Sequence, residues 1–348
     1  MIMTTIRDMS KRSWVAGHQR AIGGGRAGTC WYMSSPHARL FRRRGGRSRD
    51  PRPGPRLLSA PAGLAGRLEH ADKLDRVTQP LAEAIRRGLP AGGKADALHG
   101  VWLGQPVHPA LVALPMGFWT SATVLDFVPG AGRASRLLLA LGLAGTLPAA
   151  AAGFADWSSL HREQQRVGLV HAASGASASA LFAASLVARM AGRDNGGRLL
   201  ALGGLAAATT GGFLGRHLAF GLGAGASHAE PIQHLTALGW HDLCRIYELP
   251  DGRLTRRRLG YLTLTMLRLG GDVLALADQC AHLGGPLHQG TVTDDGNGPC
   301  VTCPWHGSTF RLADGTVVHG PATARQPAFD TRVVEGGMVQ VRPSRPAR

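Results

Sequence analysis

Two short segments constrain this chain more than anything else in it. Cys280-Ala-His282-Leu-Gly-Gly-Pro-Leu287 offers one thiol and one imidazole, and Cys303-Pro-Trp-His306-Gly-Ser-Thr-Phe310 offers a second such pair. The donors run C-x-H, then a gap of 20 residues, then C-x-x-H. To bring both pairs together the chain must set two loops tip to tip. The flanking sequence suits that. Residues 261–269 alternate apolar and polar side chains as a half-buried strand does, and 273–277 follow across Gly270-Gly271-Asp272, which predicts a hairpin. Shorter strands are expected at 308–312, 316–318 and 338–341, separated by Asp-Gly and Gly-Gly turns.

Two thiolates and two imidazoles suit a 2Fe-2S cluster in which one iron takes both Cys and the other both His. Gly284, Gly285 and Gly307 let backbone pass close to such a cluster, and Leu283 and Pro304 can shield it from water. Zinc is the competing reading, because Cys2His2 is also a tetrahedral zinc set and Cys300-x-x-Cys303 has zinc-knuckle spacing. A zinc module, however, has no need of Gly-Gly-Pro-Leu after the first pair or Gly-Ser after the second. Of the five cysteines, Cys300 reads as a free thiol near the second loop, and Cys30 and Cys244 have no evident partner. The odd count argues against a secreted disulfide framework.

With these motifs, residues 235–343 resemble a Rieske 2Fe-2S ferredoxin domain. The resemblance implies an all-β fold of stacked antiparallel sheets with the cluster at one tip. It implies that Cys280 and Cys303 hold the buried iron and His282 and His306 the exposed one. Gly320-Pro321 matches the family's third covering loop, so Pro321 joins Gly285, Gly307 and Ser308 around the cluster. High-potential members carry a disulfide between the two loops; Gly285 and Trp305 stand at those positions here. Ser308 matches their serine hydroxyl, but Phe310 replaces their tyrosine. With fewer donors to a reduced cluster, the expected potential is in the lower part of the Rieske range, roughly −150 to 0 mV.

Upstream the sequence changes character. Residues 109–128 are apolar but for Asp126; 137–155, 167–188 and 199–215 carry no Asp, Glu, Lys or Arg at all. A bilayer core needs roughly 20 apolar residues per helix, so four spans are expected within a membrane domain at 101–223. Gly175, Ser179 and Ala183 recur every four residues and Gly211 and Gly215 form a GxxxG, the small-residue pattern of close helix packing. A soluble domain with Ala-rich buried helices is the alternative. Residues 64–100 read as one or two amphipathic helices, with Leu64, Leu68, Leu74 and Val77 on one face and Pro80 opening the second; this segment either lies on a membrane surface or packs on the next domain. Trp102-Leu-Gly-Gln-Pro-Val-His-Pro109, Gly153-Phe-Ala-Asp-Trp157, Gly168-Leu-Val-His171 and Gly211-Gly-Phe-Leu-Gly215 resemble an uncharacterised family of bacterial four-helix membrane domains, often fused to a C-terminal Rieske module. That family usually has His where Gln105 stands here.

The net charge of +17 suggests nucleic acid until its position is considered. Residues 1–60 hold 13 Lys/Arg against two Asp, in a Gly-, Pro- and Ser-rich context. Residues 1–63 therefore read as a basic disordered tail, with no nucleic-acid partner expected. No apolar h-region of a signal peptide is seen there, which favours a cytoplasmic Rieske domain on a bacterial cell membrane.

The fold class expected is multidomain: an all-α four-helix transmembrane bundle, then an all-β Rieske domain. His108, His171 and His217 lie at or inside the span ends and are candidate axial ligands of haem b; the alternative is interfacial histidine bonded to backbone. Asp126, Asp156 and Arg216 read as interfacial anchors, and His288 and His319 as exposed loop histidines. The function expected is a membrane-anchored one-electron carrier that meets a redox partner protein at its exposed histidine edge, with membrane lipid and possible quinone contacts. An electron-input component of a separate oxygenase or reductase is the enzymatic alternative, and a cluster-based redox sensor the third. About 40 residues follow the second motif, too few for an oxygenase's own mononuclear iron domain.

Overall fold

Charge-free runs of this length leave the backbone one way to satisfy its own polar groups, and the chain takes it. In the computed structural model, residues 63, 65–235 and 238–344 are described. The basic segment 1–62, with Cys30, lies outside the described residues, as does Leu64. The helices are α1 (Asp75–Gly88), α2 (Gly93–His99), α3 (Val107–Leu125), α4 (Gly132–Ser158), α5 (Arg162–Met190) and α6 (Asp194–Arg216). Each of the four apolar runs becomes one helix.

The long helices form two hairpins, α3 with α4 and α5 with α6, packed side by side. Glycines set the close approaches. A Cβ on Gly142 would fall 2.3 Å from the Trp119 Nε1, and one on Gly204 3.0 Å from the Phe182 ring. Trp119 and Phe182 stack with centroids 4.4 Å apart, in a core with Leu139, Ala178, Ala201 and Ala208. Gly211 lies against Ser174 and Gly175, and Gly215 against His171, as the GxxxG predicts. On the predicted Gly175–Ser179–Ala183 stripe, Gly175 meets α6 through its backbone and has open space where its Cβ would be. By length and composition, α4 and α5 are apolar enough to cross a membrane.

The amphipathic segment differs from expectation. Pro80 lies inside α1 and opens no second helix. The face that α1 buries carries Thr78 and Ala82, both 0% exposed, while Val77 is 52% exposed. It packs on α4 and α5, and Asp75 grips Arg166 with both carboxylate oxygens at 2.7 and 2.8 Å.

Ten strands follow, in two antiparallel sheets: a six-stranded sheet ordered β1-β10-β9-β4-β3-β2 and a four-stranded sheet ordered β5-β6-β7-β8. The first holds β1 (His241–Arg245), β2 (Leu254–Leu259), β3 (Leu262–Leu269), β4 (Asp272–Ala277), β9 (Ala328–Val334) and β10 (Met338–Pro343). The second holds β5 (Thr291–Asp294), β6 (Pro299–Thr302), β7 (Thr309–Arg311) and β8 (Val317–His319). The β3–β4 hairpin forms as predicted, with Gly270 at φ +63° in its turn. However, β3 is not half-buried. Leu264, Thr265, Met266 and Leu267 are all 0% exposed, and Thr265 offsets its buried hydroxyl by donating to Asp278. Leu276, Val301, Phe310 and Val339 complete one continuous core between the sheets. That core fixes the two loops that matter, one leaving β4 and one joining β6 to β7.

Candidate metal centre

The two cysteine loops repeat one backbone device. In the first, Cys280 N–H donates to Gly285 C=O and Gly284 N–H to Cys280 C=O, both at 2.9 Å. In the second, Cys303 N–H donates to Ser308 C=O at 2.8 Å and Gly307 N–H to Cys303 C=O at 3.1 Å. Gly284 and Gly307, each four residues after its cysteine, have φ of +77° and +79°, a conformation that costs an L side chain and that glycine adopts freely. Gly285 has a different reason. A Cβ there would lie 2.8 Å from Cys303 Sγ and 3.1 Å from the Trp305 ring.

The loops bring the four predicted donors together as two pairs. Cys280 and Cys303 are both buried, with their thiols close enough to interact. The interaction between them, with burial, raises the Cys280 thiol, while the same interaction lowers Cys303 to about 7. The His282 and His306 rings are 5.1 Å apart and nearly perpendicular. Burial pushes His282 well below the ordinary imidazole value, and burial with His161 and Arg86 alongside lowers His306 to about 4. Both rings are therefore neutral and keep a lone pair for a metal. The Nδ1 of His282 is buried with no hydrogen-bond partner among the described residues, a costly state for a polar atom that a metal bond removes. No three His, Cys, Asp or Glu side chains among the described residues converge on one ion. Two thiols paired with one another and two imidazoles paired with one another suit a two-iron cluster. The donor set fits the cluster.

Further groups hold the loops. Ser308, 0% exposed, accepts from Ala322 N–H at 3.0 Å, which leaves its hydroxyl proton free to donate elsewhere. The third loop carries a cis Gly320–Pro321 bond. Gln326 was missed from sequence. Its side chain accepts from Ala281 N–H and donates to the carbonyls of Ala277 and Gln279, all at 2.8 Å, so it ties the segment leading into β9 to the first loop. Phe310 is buried in the core and brings no hydroxyl. Cys300 is buried on β6, which raises its thiol.

The histidine edge is not open as expected, because the helical part covers all three loops. His228 N–H donates to Ala281 C=O at 2.9 Å on the first. On the second, His161 lies 5.6 Å from the Trp305 ring and 5.8 Å from the His306 ring. On the third, Asp96 accepts from Gly320 N–H and from His319 Nδ1, both at 2.9 Å. His99 packs under Gly320, where an added Cβ would be 3.1 Å away, and its Nδ1 meets Asp156 at 2.8 Å. Between the two parts a cleft of about 330 Å³ opens at His306, lined by Gln79, Arg86, His161, Arg162, Gln165 and Trp305. His319 is thus an interface residue, and His288 is tied to Asp278 at 2.8 Å; neither is a free loop histidine.

In the helical part the three candidate haem histidines separate. His108 and His171 come together with ring centroids 6.0 Å apart. His217 instead pairs with Glu69 through Nε2 at 2.7 Å. Of the residues read as interfacial anchors, Asp126 is bound by buried Arg189 and Asp156 by His99.

Comparison with known proteins agrees with this geometry. Residues 239–330 match the Rieske [2Fe-2S] domain family, and residues 104–229 match a family described as predicted membrane protein DUF2231. The ferredoxin CarAc of Metapseudomonas resinovorans is 30% identical over 98 residues, which are 28% of this chain and 88% of that protein. The anthranilate 1,2-dioxygenase ferredoxin subunit of Burkholderia cepacia is 29% identical over 101 residues, 29% of this chain and 90% of the subunit. Apoptosis-inducing factor 3 of Homo sapiens is 29% identical over 105 residues, 30% of this chain but only 16% of that protein. Two paired loops, neutral imidazoles and matches on both sides of residue 230 lead to one assignment: the chain belongs to the Rieske [2Fe-2S] family, with its Rieske domain joined to a DUF2231 predicted membrane domain.

Proposed function

We propose that this protein is a membrane-held one-electron carrier. Cys280 and Cys303 would hold one iron of a 2Fe-2S cluster, and His282 and His306 the other. The observation that carries the reading is the donor set itself: two buried, interacting thiols, two facing imidazoles and a buried His282 Nδ1 with no other partner among the described residues. When bound, the cluster supplies reversible uptake of one electron. The protein's own residues do the rest. Gly284 and Gly307 supply the left-handed turns and Gly285 the close approach to Cys303, Ser308 offers a hydroxyl, and Leu283, 5% exposed, keeps water from the first loop. Four helices, α3–α6, would cross the bacterial cell membrane with the Rieske domain on the cytoplasmic side. Electrons would reach a redox partner protein through the His306 side, past His161.

The ferredoxin subunits among the relatives favour a second reading, in which the electrons serve a separate oxygenase. The test for both begins with full-length protein purified in detergent. A Rieske signal in electron paramagnetic resonance, lost on His306→Ala, and flotation with liposomes are expected. A Rieske signal that survives His306→Ala sinks the ligand assignment, and protein that stays soluble without detergent sinks the membrane reading. Reduction of a supplied oxygenase component by the protein separates the second reading from the first.

A further inference from the structure

We propose that His108 and His171 are the two protein ligands of a second metal centre, a haem iron held within the helical part. The proposal rests on the helices alone and does not need the cluster.

Four helices cooperate to orient these two rings. His108, on α3, donates from Nδ1 to the Ala149 carbonyl of α4 at 2.8 Å. His171, on α5, donates from Nδ1 to the Gly211 carbonyl of α6, also at 2.8 Å. A backbone carbonyl only accepts, so the proton of each neutral ring is on Nδ1 and the lone pair on Nε2. Fixing the tautomer through the other ring nitrogen is how proteins prepare a metal-binding histidine. Neither Nε2 is hydrogen-bonded within the described residues. Each ring also lies in a slot that only glycine leaves free. A Cβ on Gly153 would meet His108 at 2.7 Å, and one on Gly215 would meet His171 at 3.1 Å. The rings are 6.0 Å apart and perpendicular. Metal–imidazole bonds of about 2.0–2.1 Å set two rings on one ion roughly 6 Å apart.

The choice of metal follows from what is missing. No third His, Cys, Asp or Glu among the described residues joins the pair. Zinc and copper sites take three or four protein ligands. An ion held by two imidazoles must bring its other ligands with it, and the four nitrogens of a porphyrin do that. His217 takes no part, since its Nε2 is engaged by Glu69.

The test uses the full-length chain in detergent with hemin as the probe. Hemin titration, followed by a reduced-minus-oxidised optical spectrum and haem quantification, should give one haem per chain. His108→Ala and His171→Ala should each weaken hemin binding at least about tenfold, while His217→Ala leaves it unchanged. The Rieske resonance, retained in all three variants, shows that they fold. Wild-type protein that binds no hemin overturns the proposal, and so does hemin binding that persists in the His108→Ala/His171→Ala double variant. Copper or zinc found on the wild type in place of haem, and lost with the same two variants, overturns the assignment to haem. Because optical haem bands and the Rieske resonance are read separately, loss of one leaves the other standing.

Discussion

The His161 imidazole of the helical part stands edge-on to the His306 imidazole of the second cysteine loop, with ring centroids 5.8 Å apart and planes inclined by 62°. These two residues come from the two families joined in this chain. In the proposed role, a redox partner approaching His306 would meet His161, Trp305 and Arg86 at the rim of the cleft, where Arg86 is itself held by the Ser158 carbonyl. On that proposal the docked interface would be part of the electron-transfer site, and the first prediction concerns what holds it.

Asp96 is the clasp. Its carboxylate accepts from Gly320 N–H and from His319 Nδ1, across more than 220 residues of chain. Hydrogen bonds to a charged group contribute about 1.5–3 kcal/mol, less where water competes. Asp96→Ala should loosen the third loop, raising amide exchange at Gly320 roughly tenfold or more in hydrogen-exchange mass spectrometry. Unchanged protection there would mean that the two parts are held elsewhere.

The potential should be low. Phe310 offers no hydroxyl, and Ser308 is the hydroxyl among the predicted cluster neighbours. Film voltammetry of the intact protein should give a midpoint below zero, and a value above about +200 mV contradicts the reading. Ser308→Ala should lower it further. A donor bond of about 1 kcal/mol to the reduced centre corresponds to roughly 40 mV for one electron. A variant whose midpoint rises would show that the serine proton points away from the cluster.

The cluster loops were legible because their chemistry is local. Ligand, glycine and proline lie within eight residues of each other in each loop, so spacing alone brings two donors together. The four long helices were legible because charge is absent from three of the runs and confined to Asp126 in the first. What escaped was every contact made by distant residues. Gln326 reaches the first loop from the segment before β9, Asp96 and His99 reach the third from α2, and His161 reaches the second from the α4–α5 turn. Nothing in the residues around them distinguishes these side chains from solvated ones. The same holds for Asp126, whose partner Arg189 is 63 residues away. Pairing also decided between the haem candidates: His108, His171 and His217 look alike in sequence, and only the fold gives Glu69 to the last.

Gly285 should be intolerant of any side chain. The Cβ of Gly285→Ala would sit 2.8 Å from Cys303 Sγ, and the Trp305 ring at 3.1 Å closes the way out. The cysteine sulfur cannot retreat without leaving its partner Cys280. Iron per chain should fall several-fold in Gly285→Ala, with the far-ultraviolet circular dichroism of the sheets retained. Full iron occupancy in that variant would show that the loop can yield by several tenths of an ångström.

The end of the bundle away from the metal centre is closed by a buried ion pair, and its removal should unfasten all four long helices. Arg189 of α5 binds Asp126, at the C-terminal end of α3, through both guanidinium nitrogens, at 2.5 and 2.6 Å, with both side chains 3% exposed. Ser135 of α4 donates to the same carboxylate at 2.8 Å, and Ser185 of α5 carries the network to the Gly197 carbonyl of α6 at 2.6 Å. The pair itself need not be a large net gain, because two charges lose their hydration to form it. Losing one partner is different, since the other charge stays buried and alone, at a cost of about 3–5 kcal/mol. Arg189→Met should therefore lower the thermal unfolding midpoint of the helical part in detergent clearly more than Arg193→Met, which removes an exposed arginine from the following turn. The double variant Asp126→Leu/Arg189→Met should recover much of the loss, because it leaves no orphaned charge. Equal midpoints for the two single variants would show that water already reaches Asp126 at this end of the bundle.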